Sequence, residues 1–216
     1  MKVGTDAVLL GAWCRVGSAK RILDIGTGSG VIALMLAQRS VADARIDAVE
    51  QSAADLAQAA ENFRLSPWPD KISAIHGVIQ EYQTKQPYDL IVCNPPYFTR
   101  SLLPPETRRQ EARHDGRLRR PELMNAIARL LTPAGSASLI LPSTEAPDFV
   151  NEAAILGLYP ARVTQFHTRR TKPPERHLIE FRLTSSPSPQ PDNLVLYEEG
   201  NNHTVAYREL TAEFYL

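Results

Sequence analysis

The residues best suited to chemistry close the segment Tyr88–Tyr97, YDLIVCNPPY, where an apolar run stops at Asn94, Pro95, Pro96 and Tyr97. This quartet is suited to receiving a planar base or amide and polarising its NH2 group. The Asn94 amide oxygen and a nearby main-chain carbonyl can each accept one hydrogen of that group. The two prolines fix φ, so the acceptors converge without further ordering cost. Tyr97 offers a ring on which a base can stack, a contact worth about 1 to 3 kcal/mol. The same four residues also suit a plain turn after a strand, since Asn and Pro are common turn formers.

A second motif weighs against the plain turn. Ile22–Gly30 reads ILDIGTGSG, an apolar strand with an acid at Asp24, then Gly26, Thr27, Gly28 and Gly30 leading into VIALMLAQR. Glycines in such a loop permit positive φ and close approach of a ligand, and the helix that follows starts with unpaired N–H groups. A dinucleotide fingerprint needs its third glycine at position 31, which is Val31, so the spacing argues against a nicotinamide enzyme. About twenty residues on, ARIDAVE is a strand that ends in Glu50, followed by Gln51 and placed to take the two hydroxyls of a ribose.

DIGTGSG, the acid at Glu50 and NPPY on the fourth strand resemble the class I S-adenosylmethionine-dependent methyltransferases that modify an exocyclic or amide nitrogen. KVGTDAVLLGAW, NPPYF, ARH at Ala112–His114 and the closing FYL at Phe214–Leu216 narrow this. Together they are similar to the bacterial tRNA1(Val) adenine-N6 methyltransferases, which modify adenosine 37 beside the anticodon. The resemblance implies an α/β, Rossmann-like fold with a mostly parallel seven-stranded sheet and helices on both faces. It implies S-adenosyl-L-methionine as cofactor, held by Thr5, Asp6, Asp24, Gly26, Thr27, Gly28, Gly30, Glu50, Gln51 and Asn94, with Asn94, Pro95, Pro96 and Tyr97 catalytic. Two departures stand out. The family carries a further aromatic and basic segment before the Lys-Val-Gly, whereas this sequence begins at Met1. Where the family has an acid that reads the cofactor adenine, this chain has Val78, leaving Gln80, a backbone carbonyl or water for the adenine amino group.

The elements that position these motifs follow from periodicity and punctuation. Residues 5–17 read as a helix capped at Thr5 or Asp6 and ended near Gly17. SAADLAQAAENFRL is an amphipathic helix with Ser52 at its N-cap, SPWPD a turn, and KISAIHG the third strand. PELMNAIARLL is a helix opened by Pro121, GSASLILP the fifth strand, and APDFVNEAAILG a helix ended at Gly157. YPARVTQFHT and HLIEFRL alternate as two closing strands. SSPSPQPDN is a flexible connector, followed by a short strand, NLVLYEE, and a terminal helix, VAYRELTAEFYL. We therefore expect a methyltransferase domain over residues 1–184 and a linker with a small strand and helix packed on it over 185–216.

A chain of 216 residues, 43% hydrophobic and 22% charged, can bury one sizeable core. No apolar run reaches the ~20 residues of a membrane span and no signal-peptide pattern is present, so a cytoplasmic protein is expected. Cys14 and Cys93 match no metal spacing and read as small buried hydrophobes; no metal is expected.

The net charge is zero, with 24 basic and 24 acidic residues, but it is unevenly spread. Arg100–Arg120 holds seven arginines against three acids, and Arg162–Arg182 six basic residues against two. Two basic stretches after the catalytic quartet read as a phosphate-binding rim for RNA, with Arg100, Arg108, Arg109, Arg113, His114, Arg169, Arg170, Lys172 and Arg176 as contacts. A solvated face is the plain alternative. His114 is assigned to positioning rather than to acid-base work.

The expected activity is transfer of a methyl group to N6 of a tRNA adenosine by a monomer. The same quartet could serve a glutamine amide of a protein such as a release factor. Val78 and the missing front segment leave a third reading, an RNA-binding module of impaired activity.

Overall fold

The computed structural model describes residues 4–96, 118–185 and 189–214. Helix α1, Thr5–Trp13, is apolar on nearly every side, which is the pattern of a helix buried all round, and Val8 through Trp13 are all buried. Its N-cap is Gly4 in an extended conformation, not Thr5 or Asp6. Both of those residues lie inside the first turn, where Asp6 faces the positive end of the helix dipole.

Five parallel strands follow: β1 (Arg21–Ile25), β2 (Arg45–Glu50), β3 (Ile72–His76), β4 (Tyr88–Cys93) and β5 (Leu131–Pro142). Helices α2 (Val31–Arg39) and α3 (Ala53–Leu65) cross over between the first three, and α4 (Arg120–Leu130) leads directly into β5. Helix α5 (Ala146–Ile155) precedes β6 (Tyr159–Arg169) and β7 (Arg176–Arg182); then come β8 (Asp192–Tyr197) and α6 (Val205–Thr211). The sheet order is β3-β2-β1-β4-β5-β7-β6-β8, with β7 antiparallel to both of its neighbours and β8 parallel to β6.

The sheet has eight strands among the described residues, one more than the seven expected. The extra strand is NLVLY, which joins the sheet beside β6. An 11-residue strand left bare would expose a long row of unpaired backbone groups. Pairing from Thr164↔Asp192 to Arg169↔Tyr197 covers it, and Leu194 and Leu196 are buried.

Alternation along the strands divides the core between the two faces. Ile22, Leu90 and Val92 pack with α1, α2, α3 and Tyr207 of α6. Leu23, Ile91 and Cys93 pack with α4 and α5. The strands are therefore apolar on both sides, as a parallel sheet sandwiched by helices requires.

The direction of winding reverses at β1, which pairs β2 on one side and β4 on the other. In such sheets a crevice opens beyond the carboxyl ends of the two strands at the reversal. Those ends release the glycine loop and Asn94.

Candidate active site

Residues 26–30 leave β1 and turn sharply into α2. Gly26 and Thr27 donate their amides to the Val49 carbonyl, at 2.9 and 3.2 Å, tying the loop to β2. Gly26, Gly28 and Gly30 all have positive φ. At Gly30, the N-cap of α2, φ is 86°, and a Cβ would lie 2.4 Å from the Phe63 ring of α3. Only glycine both adopts that conformation and lets the two helices approach.

Beneath the loop lies Asp24, fully buried, whose Oδ2 accepts the Thr27 hydroxyl at 2.6 Å. Burial pushes its carboxyl up to about 7, against the opposing effect of the Thr27 hydrogen bond. Glu50, at the end of β2, is held from both sides. Its Oε2 accepts the Gly28 amide at 3.0 Å and its Oε1 the Ser52 amide at 2.9 Å. Each oxygen keeps acceptor capacity, which matches two vicinal hydroxyls.

These groups border a cavity of about 420 Å3. Its floor is Gly26–Ser29 with Val31 and Ile32 of α2, Val49–Gln51 and the neighbouring turn Gly77–Gln80 form one side, and Cys93–Pro96 with Leu118 border it too. A second cavity, about 440 Å3, lies toward the start of α1 and is bordered by Thr5, Asp6, Phe166, Thr168 and Arg176. A third, about 230 Å3, runs between the prolines, Ile140 and Pro142. Asn94 borders all three. One residue is thus common to the glycine-loop cavity and the cleft beyond it.

Comparison with known proteins agrees with this geometry. Residues 4–106 match the family model of the methyltransferase small domain. A curated relative from Tolumonas auensis, named tRNA1(Val) (adenine(37)-N6)-methyltransferase, is 43% identical over 217 residues, covering 100% of this chain and 90% of its own. A relative of the same name from Bacteroides fragilis is 42% identical over 219 residues, covering 100% and 91%. The chain belongs to this family. In fold it is also similar to a predicted O-methyltransferase of Agrobacterium tumefaciens, with a TM-score of 0.68 at 18% identity over 96% of each chain.

As a member of the methyltransferase family, the chain brings together most of its sequence-assigned cofactor residues. Gly26, Thr27, Gly28, Glu50, Gln51 and Asn94 border the cavity, with Pro95 and Pro96. Four do not border it. Asp24 lies under the loop and holds Thr27, and Gly30 turns the chain into α2, so both shape the floor from below. Thr5 and Asp6 border the adjacent cleft instead, while Gly4 and Ala7 face the cavity. The helical period separates them: Gly4 and Ala7, three positions apart, share one side of the first turn, and Thr5 and Asp6 lie on another.

Tyr97, Arg100, Arg108, Arg109, Arg113 and His114 lie outside the described residues. Of the remaining RNA candidates, two have their guanidinium groups engaged within the fold. Arg169 donates to the carbonyls of Glu198 and Gly200, at 3.0 and 2.6 Å, and to Asn201, so it fastens the turn after β8. Arg176 pairs with Asp6 at 2.9 Å. Arg170 and Lys172 are exposed in the turn between β6 and β7.

Ser29, Asp55, Ile79 and Leu118 also border the cavity but were not singled out from the sequence. Ser29 follows Gly28 directly and could have been inferred from the loop; the other three have no local signal. Cys14 and Cys93 are buried, and burial raises both thiols, Cys14 to about 11, so neither offers a thiolate. Among the described residues no cluster of three metal-ligating side chains occurs, and no helix is long and apolar enough to cross a membrane.

Proposed function

We propose that the chain transfers a methyl group from S-adenosylmethionine to the exocyclic N6 of adenosine 37 in tRNA1(Val), acting in the cytoplasm as a monomer. The reading rests chiefly on Asn94, which borders the glycine-loop cavity on one side and an open cleft on the other. Its relatives' names supply the substrate.

The residues fit an adenosyl cofactor. The Glu50 carboxylate, fixed by the Gly28 and Ser52 amides, has the remaining acceptor capacity that a ribose diol needs. The glycine loop leaves backbone exposed where a side chain would fill the space. When bound, the cofactor supplies the electrophilic methyl group.

The protein's own contribution is position and polarisation. Asn94 accepts one hydrogen of the target amino group through Oδ1, and Pro95 and Pro96 keep that acceptor from wandering. Accepted hydrogen bonds leave the nitrogen lone pair more available, and orientation removes much of the entropic barrier. After transfer the methylated nitrogen loses its extra proton to water, so no protein base is required. The target adenosine is turned out of its loop into the cleft beside Asn94, as enzymes acting on a base require.

The test is transfer of label from S-adenosylmethionine to unmodified tRNA or to release-factor protein, followed by mass analysis. N6-methyladenosine at position 37 is expected. Label on a protein glutamine would replace this reading with amide methylation, and absence of cofactor binding would end both.

A further inference from the structure

The wall of the cavity beside Glu50 is formed by the turn after β3, where the Gly77 amide donates to the Glu50 carbonyl at 3.0 Å, and it contains a polar group whose orientation is set by the fold. Gln80 borders the cavity, and its Nε2 donates to Oε2 of Glu122 at 3.3 Å. Glu122 sits in the first turn of α4 and is itself held, accepting the Arg119 amide at 3.1 Å and pairing with the Arg119 guanidinium. A carboxylate only accepts, so it fixes which end of the Gln80 amide faces it; the reversed amide would set oxygen against oxygen. The Gln80 carbonyl oxygen is therefore the atom left for a ligand. Val78 in the same turn is apolar and offers no side-chain acceptor.

Resting on the adenosyl-cofactor reading, we propose that Gln80, oriented by Glu122, is the side chain that reads the 6-amino group of the cofactor's purine. A fixed acceptor accepts from an exocyclic amine and rejects a 6-oxo purine, which places a second acceptor against it. Two other polar side chains on the cavity are rivals. Gln51 has no side-chain partner among the described residues, so its amide can rotate to suit either purine and cannot discriminate. Asp55 lies in the first turn of α3, where Ser52 caps its backbone amide, and its carboxylate also borders the cavity.

The experiment measures binding of S-adenosylhomocysteine and of its 6-oxo counterpart, S-inosylhomocysteine, by calorimetry, using the full chain and the variants Gln80→Leu and Asp55→Asn. The unaltered chain is expected to prefer the amino purine by about tenfold, the scale of one well-placed hydrogen bond. Gln80→Leu should bring the two affinities within about twofold, chiefly by weakening the amino purine, because loss of a merely structural contact would weaken both alike. Asp55→Asn should keep the preference. The inference is overturned if Gln80→Leu keeps the preference, or if Asp55→Asn abolishes it. Binding of both compounds without preference by the unaltered chain would overturn it while leaving the adenosyl reading intact. Binding of neither would remove both.

Discussion

The Gly28 amide donates to Oε2 of Glu50 across 3.0 Å, so the second glycine of the loop and the acid of the next strand are parts of one device. Glu50→Gln would leave one oxygen where two were needed and turn an NH2 toward an N–H donor. Burying donor against donor costs about 1 to 3 kcal/mol. Affinity for S-adenosylhomocysteine should therefore fall at least tenfold by calorimetry; unchanged affinity would take Glu50 out of the ribose role.

Asn94→Ala removes the acceptor between the two cavities while leaving the glycine loop untouched. The expected result is a loss in kcat on the order of 10² to 10³, with cofactor affinity lowered far less, by no more than about tenfold, the scale of one hydrogen bond. Single-turnover kinetics with tRNA would check it, and near-normal turnover would sink the polarisation argument.

Asp24 makes stability depend on pH. Its carboxyl is raised from 3.8 to about 7 by burial, so the folded chain holds the proton more tightly than the unfolded one. That contribution is fully present below pH 3.8 and is lost as the pH rises through about 7. Denaturation midpoints at about pH 5 and about pH 8 should show the unaltered chain losing stability relative to Asp24→Asn as the pH rises. A difference independent of pH would mean that Asp24 does not titrate in this window.

Gly30→Ala should destabilise by about 2 to 5 kcal/mol, combining left-handed strain with crowding against Phe63. Gly77→Ala is the control, because a Cβ there meets nothing within 4 Å. Equal chemical-denaturation curves for the two variants would show that α2 and α3 can separate without cost.

Replacing Arg170 and Lys172 together with Ala should weaken tRNA binding and reduce the slope of log affinity against log salt by about 1 to 2. Arg169→Ala should instead lower stability, since its guanidinium holds the carbonyls of Glu198 and Gly200. If the double variant leaves the salt slope unchanged, the turn between β6 and β7 does not touch phosphate.

Much of the site can be read from the chain because its parts are local. Gly26, Gly28 and Gly30 stand together in the chain and must adopt positive φ wherever the loop is placed. Asn94, Pro95 and Pro96 end an apolar strand, and their stiffness belongs to them alone. Glu50 closes a strand whose alternation and β-branched residues are evident. The seventh and eighth strands are harder to arrange: NLVLY is visible as a strand, but its place beside β6 depends on which edge needs covering.

The backbone chemistry was set by the residue order alone, because strand and helix periods, proline stops and glycine turns act over a few neighbouring residues. What the charged and polar side chains are for emerged only once the chain was folded. Asp6 meets Arg176 across 170 positions, Gln80 meets Glu122 across 42, and Arg169 reaches the turn after β8. Hydrogen bonds and ion pairs form only where atoms come within about 3 Å, and that proximity is set by strand order and helix packing rather than by chain distance. So the fold shows Arg169 bonded to the turn after β8, Asp24 buried beneath the glycine loop, and the Gln80 amide nitrogen engaged by Glu122.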